Sequence, residues 1–588
     1  MDFKRLVILY GSQTGYAEDL ADRISRQARS RHIKIYLSSL DEYSIKNLIN
    51  EDVVLFVCST TGQGDPPDNM QLFWKFIMRR GLPNNSLINV KFAVLGLGDS
   101  SYEQYNFVAK KLHKRLLMLG GNALVNVCLG DDQHDLGSDA AVEPWLLQFW
   151  ETLGQIYSIS NPNKSLLSPK YDVSCYVNTN EISENFIKEF SPTVQEASEK
   201  KPYKAELISN DRVTKQTHFQ DVRLIKFSAV NAHCIYKPGD VLMIQPENTD
   251  ENVDKFFEIF NCFDRSTIVE CKEKDGISVP DVLKGQNSLE NLVKYYFDFC
   301  GRPKRSFFEI LSKFSTSELE KEKLEEFDSA EGQEELFAYC NRPRRTYLEV
   351  LQDFPETLAC IEKEYFFDLF PPLKPRAFSI ASSPKYHKNE LHILVAVVRY
   401  KTRLFEPRKG VCSTWLAYSG LKYASIWIKK GTMMFPRPEN VKPCIMVGPG
   451  TGVAPFRSYL LDMLIDKKKD NLLFFGSRNE KSDFFFKEDW ENCQKENILQ
   501  LRTAFSRDQD DKIYVQHRIR QEVDLVCRYI YDEEGSCYIA GNSNQMPEAV
   551  KDAVKECLIK GRNLTKDDAD TFISNMIRKK LYQLETWS

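Results

Sequence analysis

RLVILYGSQTGYAEDLADRISRQ, residues 5–27, joins an apolar run to an amphipathic stretch through a turn of small, hydroxylated residues. Such a pattern predicts a buried strand followed by a helix. Apolar runs of this kind recur before residue 155 as KIYLSS, DVVLFVCST, VKFAVLGLGD and ALVNVCLGD. Five strand–helix units predict an α/β domain over residues 1–155, with a flavodoxin-like parallel sheet covered on both faces.

The turns that follow these strands carry the residue types of a ligand site. Ser12, Gln13, Thr14 and Gly15 precede the first helix, where free backbone N–H groups favour a phosphate, although an ordinary helix cap has the same pattern. Further turns follow other strands as STTGQGDPPDN (59–69), LGLGDSSYEQYN (95–106) and LGDDQHD (129–135). Carboxyl ends of parallel strands share one edge of the sheet, so these turns predict a common binding site. Glycines there let backbone amides approach a flat ring, and Tyr102 offers a stacking face.

The rest of the chain divides by composition and pattern. Residues 156–202 are rich in Ser, Asn, Lys and Glu, which predicts a linker in which YDVSCYV is compatible with a docked strand. Residues 203–435 alternate as antiparallel strands around a helical insert at about 250–370, which predicts a barrel. Within the insert, SFFE and TYLE are capping boxes that predict helix starts at Ser306 and Thr346. Residues 436–588 return to strand–helix alternation and predict a second open parallel sheet.

Three later segments carry phosphate-binding patterns. Arg376-Ala-Phe-Ser-Ile-Ala-Ser-Ser383 ends a strand, and its arginine can clamp a diphosphate as a charged fork. Gly410-Val-Cys-Ser-Thr414 opens a predicted helix, where backbone amides can receive a phosphate. The glycine-rich turn VGPGTGVAPFR, residues 447–457, lies between a strand and a helix, as a dinucleotide loop requires. A strand end or a helix cap would explain each motif taken alone.

A polar set near the end of a strand in this last sheet indicates the coenzyme. Its members are Ser506, Arg507, Lys512, Tyr514 and Gln516. Fixed cations and a hydroxyl suit a 2′-phosphate, whereas an acidic residue would suit an unphosphorylated ribose. The set therefore predicts NADPH, although SRDQDDKIYVQH is also compatible with a solvated edge.

Composition and charge exclude other classes of protein. The chain has 588 residues with 79 Lys and Arg against 83 Asp and Glu, a net charge of −4, which argues against general cationic binding of nucleic acid. No apolar run approaches the ~18 residues of a membrane span, and the first residues lead directly into a strand. The 15 cysteines are scattered, with no CxxC pair or Cys/His cluster. We therefore expect reduced thiols, no metal site and a cytoplasmic protein without a membrane anchor.

These motifs, in this order, resemble those of the diflavin reductases along essentially the whole chain. The resemblance implies that electrons pass from NADPH to FAD, then to FMN and to a protein acceptor. It implies FMN on the first domain, FAD on the barrel and NADPH on the last sheet. The implied binding residues are, for FMN, Ser12, Gln13, Thr14, Gly15, Thr60, Thr61, Gly62, Gly98, Tyr102, Asn106 and Asp131; for FAD, Arg376, Ala377, Phe378, Ser379, Gly410, Val411, Cys412, Ser413 and Trp587; and for NADPH, Gly450, Thr451, Ser506, Arg507, Lys512, Tyr514 and Gln516.

The resemblance also implies catalytic roles near the FAD ring. Ser379 and Glu585 would orient or protonate the ring, and the terminal Trp587 would cover it where the nicotinamide lands. Two aromatic positions differ from those of relatives. Many relatives carry Tyr at the position of Thr61, so the threonine predicts an uncovered face of the FMN ring. They also carry Tyr at the position of Phe378, so the phenylalanine lacks their hydroxyl donor. Relatives often carry Cys, Asp and Asp at the positions of Ala540, Asn542 and Glu585, so we expect proton handling to differ.

Among the diflavin reductases, the chain is most similar to the short form that serves cytosolic iron–sulfur cluster assembly. This resemblance depends on CNRPRRTYLEVL with RAFSIASS, on AGN where relatives have CGD, and on the missing anchor. It implies an anamorsin-type iron–sulfur protein as the electron acceptor. A reductase for a haem protein, methionine synthase or sulfite reductase is the alternative within this class. A cofactor-free interaction scaffold is the alternative outside it.

Overall fold

The chain folds as two compact units. The first unit comprises residues 1–186, 248–374 and 402–406, and the second comprises residues 187–247, 375–401 and 407–588. The structure is a computed structural model, and it describes residues 5–62, 64–102, 104–157, 168–177, 186–187, 189–229, 236–329, 331–436 and 442–587.

A six-stranded parallel sheet forms the first part of the first unit. Its strands are β1 Arg5–Gly11, β2 Lys34–Ser39, β3 Val53–Ser59, β4 Lys91–Gly98, β5 Asn122–Ala123 and β6 Cys128–Asp131. Its helices are α1 Tyr16–Arg29, α2 Gln71–Ile77, α3 Phe107–Met118 and α4 Asp139–Ile156. The strand order is β2-β1-β3-β4, and β4 also pairs with β5 and with β6. The predicted parallel sheet is confirmed, but ALVNVCLGD forms two short strands where one was expected.

The strands of this sheet are buried on both faces because helices cover each side. Leu6 and Ile8 of β1 belong to one core, and Val7 and Leu9 to another, as expected from the alternation of side chains along a strand. Helix α1 adds Leu20 to the first of these cores. We call residues 5–157, which contain this sheet and its helices, the N-terminal module.

The middle of the chain passes from strands to helices. Four strands come first, namely β7 Asp172–Tyr176, β8 Tyr203–Arg212, β9 Val222–Ser228 and β10 Val241–Gln245. Residues 248–374 form the helical insert, with α5 Asp250–Ile259, β11 Ile268–Lys272, β12 Asn287–Ser288, α6 Leu289–Tyr295, α7 Arg305–Phe314, α8 Glu318–Asp328, α9 Gln333–Leu336, α10 Tyr347–Asp353, α11 Pro355–Leu358 and α12 Phe366–Leu369.

The predicted linker contains an ordered strand. Strand β7, the YDVSCYV segment, pairs antiparallel with β11 of the helical insert, and β12 pairs with the other edge of β11. Just before β7, Lys170 forms an ion pair with Asp22 of α1, and Tyr171 is buried. Residues 170 and 171 therefore pack within the first unit directly after the segment 158–167, which lies outside the described residues.

The two predicted helix starts in the insert have different outcomes. Thr346 caps α10, since its Oγ1 accepts the N–H of Glu349 at 3.3 Å while the Glu349 carboxylate accepts the N–H of Thr346 at 2.8 Å. The capping box predicted at Ser306 is wrong, because the cap residue of α7 is Lys304, two positions earlier. The buried Ser306 hydroxyl instead donates to Asp19 Oδ1 of α1 at 2.9 Å.

An antiparallel sheet of six strands begins the second unit. To β8, β9 and β10 it adds β13 Arg376–Ser379, β14 Glu390–Ala396 and β17 Tyr423–Lys429, while β15 Arg399–Tyr400 and β16 Arg408–Lys409 form a separate hairpin that leads to helix α13 Val411–Tyr418. The strand order is β13-β10-β17-β8-β9-β14. A bridge between Ile380, just after β13, and Ile393 of β14 connects the two edges, as the predicted barrel requires.

A second parallel sheet completes the second unit and confirms the predicted fold class. Its strands are β18 Cys444–Pro449, β19 Asn471–Ser477, β20 Leu499–Phe505, β21 Ser536–Asn542 and β22 Tyr582–Trp587. Its helices are α14 Ala454–Asp466, α15 Glu480–Asp483, α16 Lys487–Lys495, α17 Val515–Gln521, α18 Val523–Cys527, α19 Met546–Arg562 and α20 Lys566–Arg578. The order β20-β19-β18-β21-β22 places the terminal strand at one edge.

Candidate functional site

The turn between β1 and α1 is shaped by its own hydroxyl and by the loop before α2. Gly15 has φ 87°, in the left-handed region, and its N–H donates to Ser12 Oγ at 3.0 Å. The N–H of Ser12 donates to Asn69 Oδ1 at 2.8 Å, and Gln13 bonds to the same loop. Thr14 remains exposed at the N-terminus of α1. Hydroxyls and backbone amides at a helix N-terminus form a favourable place for a phosphate.

The turn after β3 folds back on itself. The N–H and the hydroxyl of Thr61 both donate to the Asp65 carbonyl, at 2.9 and 3.0 Å. Gly62, with φ 49°, follows directly, and the N–H of Thr60 donates to the Leu97 carbonyl at 3.1 Å. The Thr61 hydroxyl is thus used within its own turn, and the residue presents a short side chain without a ring.

The turns after β4 and β6 are tied together by Asn106. This residue is fully buried with φ 51°, and its Nδ2 donates to the Gly130 carbonyl at 2.9 Å. Its Oδ1 is also buried and accepts no hydrogen bond from any described residue. A Cβ on Gly98 would lie 3.0 Å from the backbone N of Asn106, so the two ends of the turn after β4 are in close contact. Tyr102 is half-buried in the same loop.

Asp131 ends β6 at the same carboxyl edge of the sheet. Its Oδ1 accepts the N–H groups of Ser100 and Gln133 at 2.9 and 3.1 Å. Although desolvation acts in the opposite direction, these hydrogen bonds lower the pKa of Asp131 below its usual value. All FMN residues implied by resemblance therefore lie in four turns at the carboxyl edge of one sheet.

A serine and a buried carboxyl meet in the second unit. Ser379 ends β13, and its Oγ donates to Glu585 Oε1 of β22 at 2.9 Å. Burial raises the pKa of Glu585, and hydrogen bonds from Ser379, Thr432 and the Met433 backbone act in the opposite direction. A carboxyl of this kind can hold a proton at a pH where an exposed one would have lost it.

The start of α13 lies near the arginine of the RAFS segment. Gly410 precedes the helix, and Ser413 Oγ accepts the N–H of Val398 at 3.1 Å and donates to the Gly410 carbonyl at 3.4 Å. Burial raises the pKa of the Cys412 thiol to about 12, and the charge of Arg376 opposes this rise. The field of Arg376 therefore reaches the first turn of α13, which also contains Val411. On β13, Ala377 and Phe378 pair with Met243 and Leu242 of β10.

Trp587, next to the last residue of the sequence, is the last residue that the structure describes. Trp587 pairs with Asn542 at the end of β21, and its carbonyl accepts the N–H of Ser543 at 2.9 Å. Its side chain is 39% exposed. Two residues earlier, Glu585 pairs with Ala540 in the same ladder. The edge strand β22 thus holds both the buried carboxyl and an exposed indole.

The glycine-rich turn after β18 packs against β21. Gly450 has φ 58°, and Thr451 is half-buried. A Cβ on Gly452 would lie 2.1 Å from the Ala540 carbonyl oxygen, so only glycine permits this approach. Helix α14 begins at Ala454. Strand, glycine turn and helix N-terminus therefore adopt the order of a dinucleotide loop.

The predicted 2′-phosphate residues follow β20 on the same sheet. Ser506 is buried, and Arg507, Lys512 and Tyr514 are exposed. Gln516 is half-buried in the first turn of α17. Exposed cations at a strand end remain accessible to an anionic coenzyme.

Sequence reasoning missed two polar residues beside these sites. Arg478 follows β19, its carbonyl accepts the N–H of Arg507 at 2.8 Å, and its guanidinium lies 3.6 Å from the ring centroid of Phe219. Asn69 positions Ser12. Asn69 ends the quoted turn STTGQGDPPDN and Arg478 directly follows β19, so their place at the end of a motif or strand was the available signal.

Three family models match the chain in sequence order. Residues 8–145 match a flavodoxin model, residues 195–415 an FAD-binding domain, and residues 446–552 an oxidoreductase NAD-binding domain. Each match falls on a different one of the three large sheets, and the second and third matches end before β17 and β22.

The chain is also similar over its full length to curated proteins from distant organisms. It is 47% identical over 602 residues to NADPH-dependent diflavin oxidoreductase 1 of Xenopus laevis and 45% identical over 598 residues to that of Bos taurus. Both alignments cover 100% of each chain. The Arabidopsis thaliana protein of the same name is 36% identical over 632 residues, with 100% of this chain and 99% of the relative covered.

Proposed function

Because the chain belongs to the NADPH-dependent diflavin oxidoreductases, enzymes that pass electrons from NADPH through FAD to FMN, we propose that its acceptor is an anamorsin-type iron–sulfur protein of cytosolic iron–sulfur cluster assembly. The proposal includes a cytoplasmic location. In the part of the chain that the structure describes, no helix is both long enough and apolar enough to cross a membrane.

The proposed FMN site is the carboxyl edge of the N-terminal module. The phosphate would lie at Ser12–Gly15, and the ring between the turns that contain Thr61 and Tyr102. Asn106 Oδ1 supports this placement, because a buried acceptor that no described residue satisfies suits a polar edge of a bound ring. Asp131, whose pKa is lowered, would remain an acceptor beside it.

The proposed FAD site lies along β13 and the start of α13, with Arg376 toward the diphosphate and Trp587 toward the ring. When bound, FAD and FMN supply the redox chemistry that converts a two-electron donor into single-electron deliveries. Glu585 can hold a proton because burial raises its pKa, and Ser379 Oγ, 2.9 Å away, can relay or orient that proton. The exposed Trp587 fits a removable cover.

The proposed NADPH site is the carboxyl edge of the last sheet. Gly450 and Thr451 would hold the diphosphate, and Ser506, Arg507, Lys512, Tyr514 and Gln516 would surround the 2′-phosphate. Arg478 lies beside Arg507 along the backbone, and its guanidinium lies over the ring of Phe219.

The observation that carries the acceptor proposal is a ring of carboxylates around the proposed FMN edge. We call it the acidic rim, and its members are Asp65, Asp68, Asp99, Asp131 and Asp132. Asp65, Asp68 and Asp132 are exposed, and Asp99 and Asp131 are half-buried. Glu103, which the sequence adds to this set, lies outside the described residues. Clustered charge of one sign steers a partner of opposite sign, so we expect basic residues around the acceptor's cluster.

The test is NADPH-driven reduction of an anamorsin-type protein, followed by the absorbance of its cluster. Added salt should slow association, and Asp65→Asn with Asp132→Asn should slow it further while NADPH reduces FAD at the normal rate. Glu318→Gln with Glu322→Gln, two exposed carboxylates of α8, is the matched control. Efficient cluster reduction by enzyme depleted of FMN would overturn the proposed path.

The alternative acceptors are tested in the same assay. A haem protein, methionine synthase and sulfite reductase should each be reduced with a lower kcat/KM than the anamorsin-type protein. A higher value for any of them would make that protein class the better assignment.

A further inference from the structure

Two lysines of the helical insert contact the turn proposed to bind the FMN phosphate. Lys304, directly before α7, donates from Nζ to the Gly15 carbonyl at 2.9 Å. A Cβ built on Gly15 would lie 3.5 Å from Cε of Lys374 and 4.0 Å from Nζ of Lys304. Both side chains therefore lie against the last residue of the phosphate turn.

The same lysines pair with two carboxylates in the first turn of α1. Lys374 Nζ lies 2.8 Å from Glu18 Oε2, and Lys304 Nζ lies 3.9 Å from Asp19 Oδ1. All four side chains are at most one-third exposed. Burial disfavours the charged form of Glu18, yet Lys374 and other nearby lysines hold its pKa below the usual value. Glu18 is thus ionised at neutral pH.

Carboxylates in the first turn and a phosphate at the same helix N-terminus repel each other. Acidic residues there stabilise a helix that holds no other anion. A phosphomonoester carries about −1.5 to −2 charges at pH 7, so Glu18 and Asp19 oppose its binding. Lys304 and Lys374 cancel both carboxylates while the insert is packed against α1. Without the insert, both carboxylates lose these lysine partners, and Lys170, outside the insert, still acts on Glu18.

We propose that Lys304 and Lys374 are positioning residues of the FMN site, which make binding of the FMN phosphate depend on packing of the N-terminal module against the helical insert. The inference rests on the proposed placement of that phosphate at Ser12–Gly15. Because binding couplings are reciprocal, FMN stabilises this packing by the same factor. The cofactor of one module thereby strengthens the contact of that module with another.

Riboflavin separates this electrostatic role from a structural one, because it has the ring of FMN without the phosphate. Full-length protein that retains FAD but has lost FMN is titrated with either flavin, and binding is followed by quenching of flavin fluorescence. Lys304→Gln with Lys374→Gln should raise the Kd for FMN about tenfold, within the usual range of binding couplings. The Kd for riboflavin should not change.

Two further variants test whether the effect depends on the carboxylates and on these particular lysines. Adding Glu18→Gln and Asp19→Asn to the double lysine variant should restore the FMN affinity, because no carboxylate then needs cancelling. Lys91→Gln removes a lysine whose Nζ lies 2.6 Å from Asp52 Oδ1. Lys91 begins β4 at the opposite edge of the sheet, so this control should change neither Kd.

The outcomes that overturn the inference are specific. An unchanged FMN Kd in the lysine variant, an equal loss for both flavins, or a loss that the carboxylate substitutions do not restore would each do so. Ser12→Ala tests the underlying placement separately, since it should weaken FMN more than riboflavin. If Ser12→Ala has this effect and the lysine variant does not, the placement stands and the inference fails. If Ser12→Ala affects both flavins equally, the placement itself fails.

Reciprocity gives a readout on the insert. Addition of FMN to the FMN-depleted protein should slow amide hydrogen exchange in α7, whereas riboflavin should have a smaller effect. Equal protection by both flavins would contradict a coupling through the phosphate.

Discussion

Arg507 is an exposed cation at the end of β20, and its proposed contact is found only in the phosphorylated coenzyme. A hydrogen bond to a charged group contributes roughly 1.5–3 kcal/mol, so Arg507→Ala should reduce the preference for NADPH over NADH ~10–150-fold. The measurement is kcat/KM with each coenzyme. Arg528→Ala, which removes an arginine paired with Glu533 elsewhere in the same domain, should leave the ratio unchanged. An unaltered NADPH affinity in Arg507→Ala would remove this residue from the site.

Thr61 supplies no ring to the proposed FMN site, and its hydroxyl is bonded to Asp65. Loss of an aromatic partner removes roughly 0.5–1.5 kcal/mol beyond area burial, so FMN should leave the protein before FAD. Thr61→Tyr should slow FMN release ~2–10-fold. Dialysis followed by flavin analysis measures this, with FAD as the internal control. Equal retention of both flavins by the unmodified protein would contradict the prediction.

At the level of residues, sequence patterns predicted local chemistry better than long-range partners. The turns around Ser12 and Gly450 were recognisable because strand, glycine turn and helix follow one another along the chain. Ser379 and Glu585 are 206 positions apart, and only resemblance suggested a common role. Lys304 and Lys374 lie in the insert, and no local pattern connects them with Gly15. Such contacts depend on how separate elements pack, which periodicity does not encode.

Among the elements, β22 brings a buried carboxyl and an exposed indole to one edge strand. Deletion of Trp587 and Ser588 removes the proposed ring cover and the carbonyl that accepts the N–H of Ser543. NADH and NADPH carry the same nicotinamide ring, so an uncovered FAD ring can stack with either coenzyme. The truncated enzyme should therefore discriminate less strongly against NADH. The measurements are the coenzyme ratio and the FAD spectrum. Deletion of Ser588 alone and Trp587→Phe are the controls, and both should behave like the unmodified enzyme.

An unchanged coenzyme ratio and an unchanged FAD spectrum in the truncated enzyme would identify Trp587 as a packing residue of β22.

Helix starts show where local signals succeed. Thr346 and Glu349 form the predicted capping box. Ser306 has the same pattern, but Asp19 of α1 takes its hydroxyl and α7 begins earlier. The strand β7 shows a similar effect in the predicted linker, since its place depends on β11, almost one hundred residues later. Tertiary partners therefore decide between local alternatives that the sequence leaves nearly equal.

At the scale of the molecule, the antiparallel sheet and the last sheet are joined through Arg457 of α14. Its Nη1 lies 3.2 Å from His392 Nδ1, and its Nη2 lies 3.3 Å from His387 Nε2. A guanidinium only donates, so His392 Nδ1 accepts from Arg457, and its Nε2–H is left to donate to Glu390 Oε2 at 2.7 Å. Burial, followed by the charge of Arg457, lowers the pKa of each histidine to about 3.

This contact predicts loss of stability in acid. The histidines of the unfolded chain have a pKa near ~6.5, so between that value and about 3 the unfolded state binds more protons. The free energy of unfolding therefore falls as the pH falls through this window, and the contribution is fully present above it. Urea-induced release of FAD should occur at a lower urea concentration at pH 5 than at pH 7.5. His387→Gln with His392→Gln should flatten this dependence, and a variant with the same slope as the unmodified protein would exclude the histidines as its cause.

The pairing of β10 with β13 has a consequence for how this architecture can change. Ile244 of β10 lies opposite Arg376 of β13, so the chain leaves the barrel and re-enters it across one strand spacing, about 5 Å. In topological terms, residues 246–375 are the loop of a single β-hairpin. The entropy lost on closing such a loop grows only with the logarithm of the loop length. An insert of domain size therefore lowers the free energy of unfolding little more than a long turn does. The insert can therefore differ in length between relatives of this fold without altering the register of β10 with β13.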